Sequence, residues 1–132
     1  MTLSVQERLE IAELIAWHGH LVDAGELDRM DELCTEDVIY DLTDFGAGVL
    51  QGIPALRAAA DALGDANPVG HHVTNVIVTE IDGAIVVRSK GIGVNADGTC
   101  ASVVYRDVVV STGNGWRIAH RTVTARRAPL GR

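Results

Sequence analysis

The stretch Trp17-His18-Gly19-His20-Leu21-Val22-Asp23-Ala24-Gly25-Glu26-Leu27-Asp28 decides how this chain is read. Ile11, Leu14 and Ile15 before it and Val22 within it recur at helical spacing and define one apolar stripe. At about 100° per residue, His18 falls inside that stripe, Asp23 on its edge and His20 on the opposite, solvent side. Burying an imidazole or a carboxylate without a partner costs several kcal/mol, so His18 and Asp23 require partners or a wet cavity. Two ionisable groups entering the interior from the end of one helix are the main functional clue.

Working outward, Ser4-Val5-Gln6-Glu7 is a capping box that starts this helix, and Gly25 supplies a left-handed stop after about Ala24. Leu27 to about Cys34 reads as a short second helix with Leu27, Met30 and Leu33 on its apolar side. Val38 to Leu42 reads as a strand, and Asp44 to Gly52 as a glycine-containing loop over a pocket. Pro54 opens a third helix, Ala55 to about Leu63, and Gly64 to Gly70 is a connection. Four long strands follow: His71 to Ile81, Ala84 to about Val94, Thr99 to Ser111 and Trp116 to about Ala125. Asp82-Gly83, Ala96-Asp97-Gly98 and Gly113-Asn114-Gly115 are the turn signals between them. The order predicts one α+β domain over residues 1–132, with three helices on one face of a curved, mostly antiparallel sheet. Strand alternation places Val103, Tyr105, Asp107 and Val109 on one face, and Val104, Arg106, Val108 and Val110 on the other. In the last strand it sets Ala119, Arg121 and Val123 against Ile118, His120 and Thr122.

Composition narrows the function classes. With 132 residues, 47% hydrophobic and 22% charged, the chain suits a globular domain with a real core. A net charge of −7 argues against a nucleic-acid partner and against an anionic membrane surface. No apolar run reaches the roughly 20 residues of a membrane span, and the N-terminal residues carry no signal-peptide pattern. Cys34 and Cys100 lack CxxC spacing, which points to two reduced, mostly buried thiols and a cytoplasmic setting. Phosphate loops, dinucleotide fingerprints and metal-ligand spacings are missing, so neither metal nor organic cofactor is expected.

Several segments in order resemble the SnoaL-like branch of the nuclear-transport-factor-2-like superfamily. They are Leu21 to Asp28, Glu36-Asp37-Val38-Ile39-Tyr40, Gly52, His71-His72-Val73-Thr74-Asn75, Tyr105-Arg106-Asp107, and Gly115-Trp116-Arg117-Ile118-Ala119-His120-Arg121. The resemblance implies a cone-shaped α+β barrel around an apolar pocket, dimeric through the outer sheet face. It also implies chemistry of the kind performed by scytalone dehydratase, bile-acid 7α-dehydratase, the lindane dehydrochlorinase, polyketide cyclases or ketosteroid isomerase. In the dehydratase and dehydrochlorinase members an Asp at the end of the first helix orients a His after the third helix. Those roles fall on Asp23 and His71, while His18 takes a position held there by Tyr or Lys and Arg121 follows the Gly-Trp-Arg motif. The second His of scytalone dehydratase has no counterpart, since Tyr105 and Asp107 stand in that strand. The isomerase base belongs on the first strand, where Asp41 and Leu42 lie nearby without a clean match, whereas its protonated oxyanion Asp falls on Asp107, a substrate-binding candidate that many non-isomerase members share.

Each candidate has a plain structural reading beside its chemical one. A carboxylate on one imidazole nitrogen fixes the tautomer and leaves the other as a base, so Asp23 and His71 are either a base dyad or a structural hydrogen bond. His72 points away from His71 in a regular strand, so the two cannot chelate one metal. His18 is either a satisfied core histidine or a contact to substrate. Tyr40 and Tyr105 either donate to a substrate oxygen or are core tyrosines. Arg121 either holds an anionic or enolate oxygen or pairs with Asp107. Trp116 reads as core. The expected function is a cofactor-independent lyase, dehydratase-like, or an isomerase acting on a small apolar ring compound. The alternative is a non-catalytic ligand-binding or dimeric scaffold module.

Overall fold

The computed structural model describes residues 2–132. The first helix, α1 (Val5–Asp23), begins at the capping box: the Ser4 hydroxyl accepts from the Glu7 amide at 3.1 Å, and the Glu7 carboxylate accepts from the Ser4 amide at 2.9 Å. It stops where expected, because Gly25 adopts φ +71°, a region that L side chains avoid. Ile11 and Ile15 are fully buried. Each contributes about 1.5–3 kcal/mol through burial.

The second expected helix is a six-residue 3₁₀ turn, Leu27–Glu32, that buries Met30. The first strand, β1 (Cys34–Leu42), starts four residues earlier than its apolar run suggests. The segment read as loop contains an edge strand, β2 (Gly48–Gln51), paired antiparallel to β1. Four residues, beginning at Gly48 and followed by Gly52, both at positive φ, are too few to print an alternating pattern. Next, α2 (Ile53–Leu63) carries Pro54 in its first turn. The strands β3 (Gly70–Ile81), β4 (Ala84–Val94), β5 (Cys100–Thr112) and β6 (Gly115–Arg126) form the meander. Asp82 and Gly83, both at positive φ, close its first hairpin.

The sheet order is β2-β1-β6-β5-β4-β3. β1 runs parallel to β6, and the other four pairs are antiparallel. The two edges do not meet, so the cone expected from the resemblance is a curved open sheet closed off by helices. Register shifts between Thr74 and Ile77, and between Val108 and Val109, supply bends. The second shift corrects strict alternation in β6. Ile118 and Arg121 are three residues apart, yet both are buried on the inner face, because the register slips between them. Val103, Tyr105, Asp107 and Val109 share the inner face as expected, and all are buried. Trp116 is half-buried, packed against the core with its indole N–H donating to Glu10. Cys34 is buried, but Cys100 is exposed at the start of an unshielded strand end, against the expectation of two mostly buried thiols. No helix among the described residues is long and apolar enough to cross a membrane.

Candidate active site

The inner sheet face, α1 and α2 enclose a cavity of about 540 Å³. Its size falls within the range of roughly 300–1,000 Å³ usual for small-molecule sites. Apolar side chains form most of its wall, including Val22, Leu42, Leu50, Val103 and Val123. On α2, Leu56, Ala59, Ala60 and Leu63 line it at helical spacing, a stripe that was legible in the sequence although no role was given to it.

At one end of this cavity the first candidate pair meets. Asp23, the last residue of α1, accepts from the His71 amide at 2.9 Å through Oδ2 and from His71 Nδ1 at 2.6 Å through Oδ1. With Nδ1 donating to the carboxylate, the second ring nitrogen, Nε2, carries the lone pair. His71 lines the cavity, and both side chains keep partial access to solvent, at 19% and 28%. The close approach of α1 to β3 depends on Gly19, since a Cβ there would stand 2.6 Å from the His71 carbonyl oxygen. His72 is exposed on the other face of β3, and His20 is exposed on the far side of α1.

His18 reaches the same cavity from the buried side of α1 and shares a hydrogen bond with the Tyr40 hydroxyl. Burial, then Arg121 and His71, holds His18 well below its ordinary 6.5, so the ring is neutral. Burial likewise pushes the Tyr40 and Tyr105 hydroxyls upward. All three are neutral hydrogen-bonding groups at physiological pH.

Arg121 lies beneath them. It is 1% exposed and grips Asp107, itself fully buried, through Nε at 2.7 Å and Nη2 at 2.9 Å. The two residues face each other directly across the β5–β6 ladder. The guanidinium carbon stands 4.2 Å from the Tyr105 ring centre and 5.8 Å from that of Tyr40. Burial opposes its charge, but Asp107 and Tyr40 more than offset this, and the group stays protonated. Its remaining nitrogen, Nη1, is buried without a hydrogen-bond partner, and Arg121 belongs to the cavity wall. A buried donor left unpaired costs about 1–3 kcal/mol, so this nitrogen is suited to a ligand oxygen.

The structure thus gathers His18, Tyr40, His71, Tyr105 and Arg121 around one space, with Asp23 behind His71 and Asp107 behind Arg121. Asp107, expected to touch substrate, does not line the cavity: its carboxylate is fully buried and taken up by Arg121. Nor does Asp41, whose carboxylate accepts from the Thr43 amide at 3.0 Å. Among the described residues no group of three or more His, Cys, Asp or Glu side chains is placed to hold a metal ion.

The SnoaL-like domain model matches residues 4–122. The chain belongs to the SnoaL-like family. Solved structures extend the likeness across the SnoaL-like fold. One, described as a candidate aromatic ring hydroxylase from Novosphingobium aromaticivorans, is 26% identical with a TM-score of 0.77, covering 96% of this chain and 94% of that one. A second from the same organism, described as an NTF2-like protein with a cystatin-like fold, is 26% identical with a TM-score of 0.78, covering 96% and 86%. A third, described as a candidate scytalone dehydratase from that organism, is 17% identical with a TM-score of 0.73, covering 97% and 95%, and it bears on the fold alone. No curated protein matches the chain.

Proposed function

We propose that this SnoaL-like protein is a cofactor-independent lyase that eliminates water from a small, mostly apolar ring compound, with His71 as the base. The observation that carries this reading is the Asp23–His71 pair at the edge of an open apolar cavity whose lining includes Arg121, a buried guanidinium with Nη1 left unpartnered. A base and an oxyanion donor facing one space suit removal of a proton beside a carbonyl. In the proposed step His71 Nε2 takes the proton from that carbon, and Asp23 stabilises the resulting imidazolium. Negative charge collects on the carbonyl oxygen against Arg121 Nη1 and the Tyr105 hydroxyl. The adjacent C–O bond then breaks, and the departing hydroxyl recovers the proton from His71, directly or through Tyr40 and His18, leaving as water. Isomerisation uses the same first half, with the proton returned to another carbon.

The scaffold reading rests on a fold that hosts many unrelated roles, the structural neighbour described as a candidate aromatic ring hydroxylase among them. A wide open cavity with an aligned imidazole favours the lyase. On either reading we propose a homodimer through the outer sheet face, where Val104, Val108 and Val110 are only half-buried and Ile77 and Ile92 are 52% and 42% exposed.

The test is a turnover screen over ring β-hydroxy ketones, with the variants His71→Ala, Asp23→Asn and the pair together. Each single change should remove most turnover, and the double should lose little more, because the two groups act as one unit. His20→Ala should be nearly silent. Near-normal rates in both dyad variants would refute the assignment.

A further inference from the structure

The polar groups of the cavity are not all at its buried end. Lining residues that are also exposed mark the mouth: Phe45 at 46%, Leu63 at 55%, and Arg57 on α2. His18, Tyr40, Tyr105 and Arg121 are buried at the other end. The apolar wall lies between two cationic groups of opposite circumstance. Arg121 is neutralised by Asp107, whereas Arg57 pairs with no carboxylate among the described residues, although Asp61 stands one helical turn along. The chain carries a net charge of −7, so an unpaired guanidinium at a cavity mouth is a local exception to its charge. The Asn67 amide donates to the Ala60 and Gly64 carbonyls at 2.8 and 2.9 Å, pinning the C-terminal end of α2 beside the mouth.

We infer that the ligand of this cavity is an amphipathic ring compound bearing an oxyanion, of the carboxylate type, at the end away from the reacting carbonyl, and that Arg57 holds that anion at the mouth. The deep end takes the uncharged carbonyl oxygen, the aliphatic wall takes the ring skeleton, and the planar fork of Arg57 takes the anion through two parallel donors. Arg57 thereby selects acids over their neutral analogues and sets which end of the ligand enters first. This rests on the cavity being the ligand site, as the lyase reading requires, but not on the chemistry of His71.

Two fluorescent probes that share a skeleton test it: 8-anilinonaphthalene-1-sulfonate, which carries an anion, and neutral N-phenyl-1-naphthylamine. The unchanged protein should bind the sulfonate more tightly than the amine, and the preference should shrink as salt rises. Arg57→Gln should weaken the sulfonate about fivefold, the upper range for an exposed ion pair, and leave the amine unchanged. Arg57→Lys should restore most of the difference. Ala60→Trp, which fills the cavity, should weaken both probes. Equal effects of Arg57→Gln on both probes, no effect on either, or binding that survives Ala60→Trp would each overturn the inference. No sulfonate preference in the unchanged protein, alongside dyad variants that abolish turnover, sinks this inference alone, and normal turnover in the dyad variants sinks the lyase reading alone.

Discussion

Consider what removing one half of the Arg121–Asp107 pair does. Both side chains are essentially inaccessible, at 1% and 0%, and two hydrogen bonds of 2.7 and 2.9 Å join them. Asp107→Leu leaves a guanidinium in a dry interior, and Arg121→Met leaves a carboxylate there. Breaking a buried pair from one side costs about 3–5 kcal/mol, most of it the exposed penalty of the survivor. In Asp107→Leu the Tyr105 ring, 4.2 Å from the guanidinium, retains a cation–π interaction of up to about 2 kcal/mol. The expected cost is therefore about 3 kcal/mol for Asp107→Leu and nearer 4 for Arg121→Met, which has no such relief. The double variant removes both charges and should lie within about 1 kcal/mol of the parent. Urea unfolding at fixed protomer concentration reads this directly. With a slope of about 1.5 kcal/mol/M, the Asp107→Leu midpoint should fall by roughly 2 M and the double variant's by well under 1 M. The double should nevertheless bind ligand poorly, because Nη1 has gone with the guanidinium. Single variants costing under about 1 kcal/mol, or a double variant as unstable as the sum of the singles, would refute the argument that the pair is coupled and dry.

Further expectations rest on other contacts. His18 is held neutral by burial, so the unfolded chain protonates it near 6.5 while the native state does not. Stability present above pH 6.5 is then lost as pH falls toward the lower folded value, at up to about 1.4 kcal/mol per pH unit. His18→Gln should flatten that acid limb, and unfolding at pH 7.5 and 5.5 that shows the same slope in both proteins would exclude His18 as its source. Gly19→Ala puts a Cβ 2.6 Å from a backbone oxygen of His71, so α1 must move and stretch the Asp23–His71 bonds. Turnover should fall by tenfold or more, while the better helix propensity of Ala, about 1 kcal/mol, partly masks the strain in a melting curve. The dimer proposal is checked by sedimentation at micromolar concentration: Val108→Lys should yield a monomer, and an unchanged sedimentation coefficient would locate the interface elsewhere.

The helical part of this architecture was legible because its signals are local. The capping box at Ser4, the stop at Gly25 and the inward turn of His18 depend on neighbours within a turn or two, and each stands where the spacing puts it. The facing of Asp107 and Arg121 was half-legible. Alternation put Asp107 among the buried positions of β5, and the two are exact ladder partners, but only the slipped register near Val108 brings Ile118 and Arg121 to the same side. A bulge adds one residue to one strand and leaves no composition mark. β2 was missed because a four-residue strand that starts at one conformationally free glycine and stops before another carries no period. Asp23 and His71 were paired by resemblance; their actual separation depends on the missing Cβ at Gly19, a clue that sat beside His18 in the quoted stretch.

The position of β6 in the sheet carries one more consequence. Every other strand precedes it in the chain, yet it lies between β1 and β5. Until it is inserted, the β1–β2 ribbon and the β3–β4–β5 meander are separate pieces with their facing edges unpaired. Tyr40 and Arg121, which become ladder neighbours, stand far apart in the sequence, so joining them closes a long loop and waits on that entropy. On a ribosome the earlier strands emerge first, and the cavity has no floor until the last of them has cleared the exit tunnel. A nascent chain halted before Gly115 would present two open strand edges and a row of bare valines, a species for a chaperone rather than an early form of the binding site.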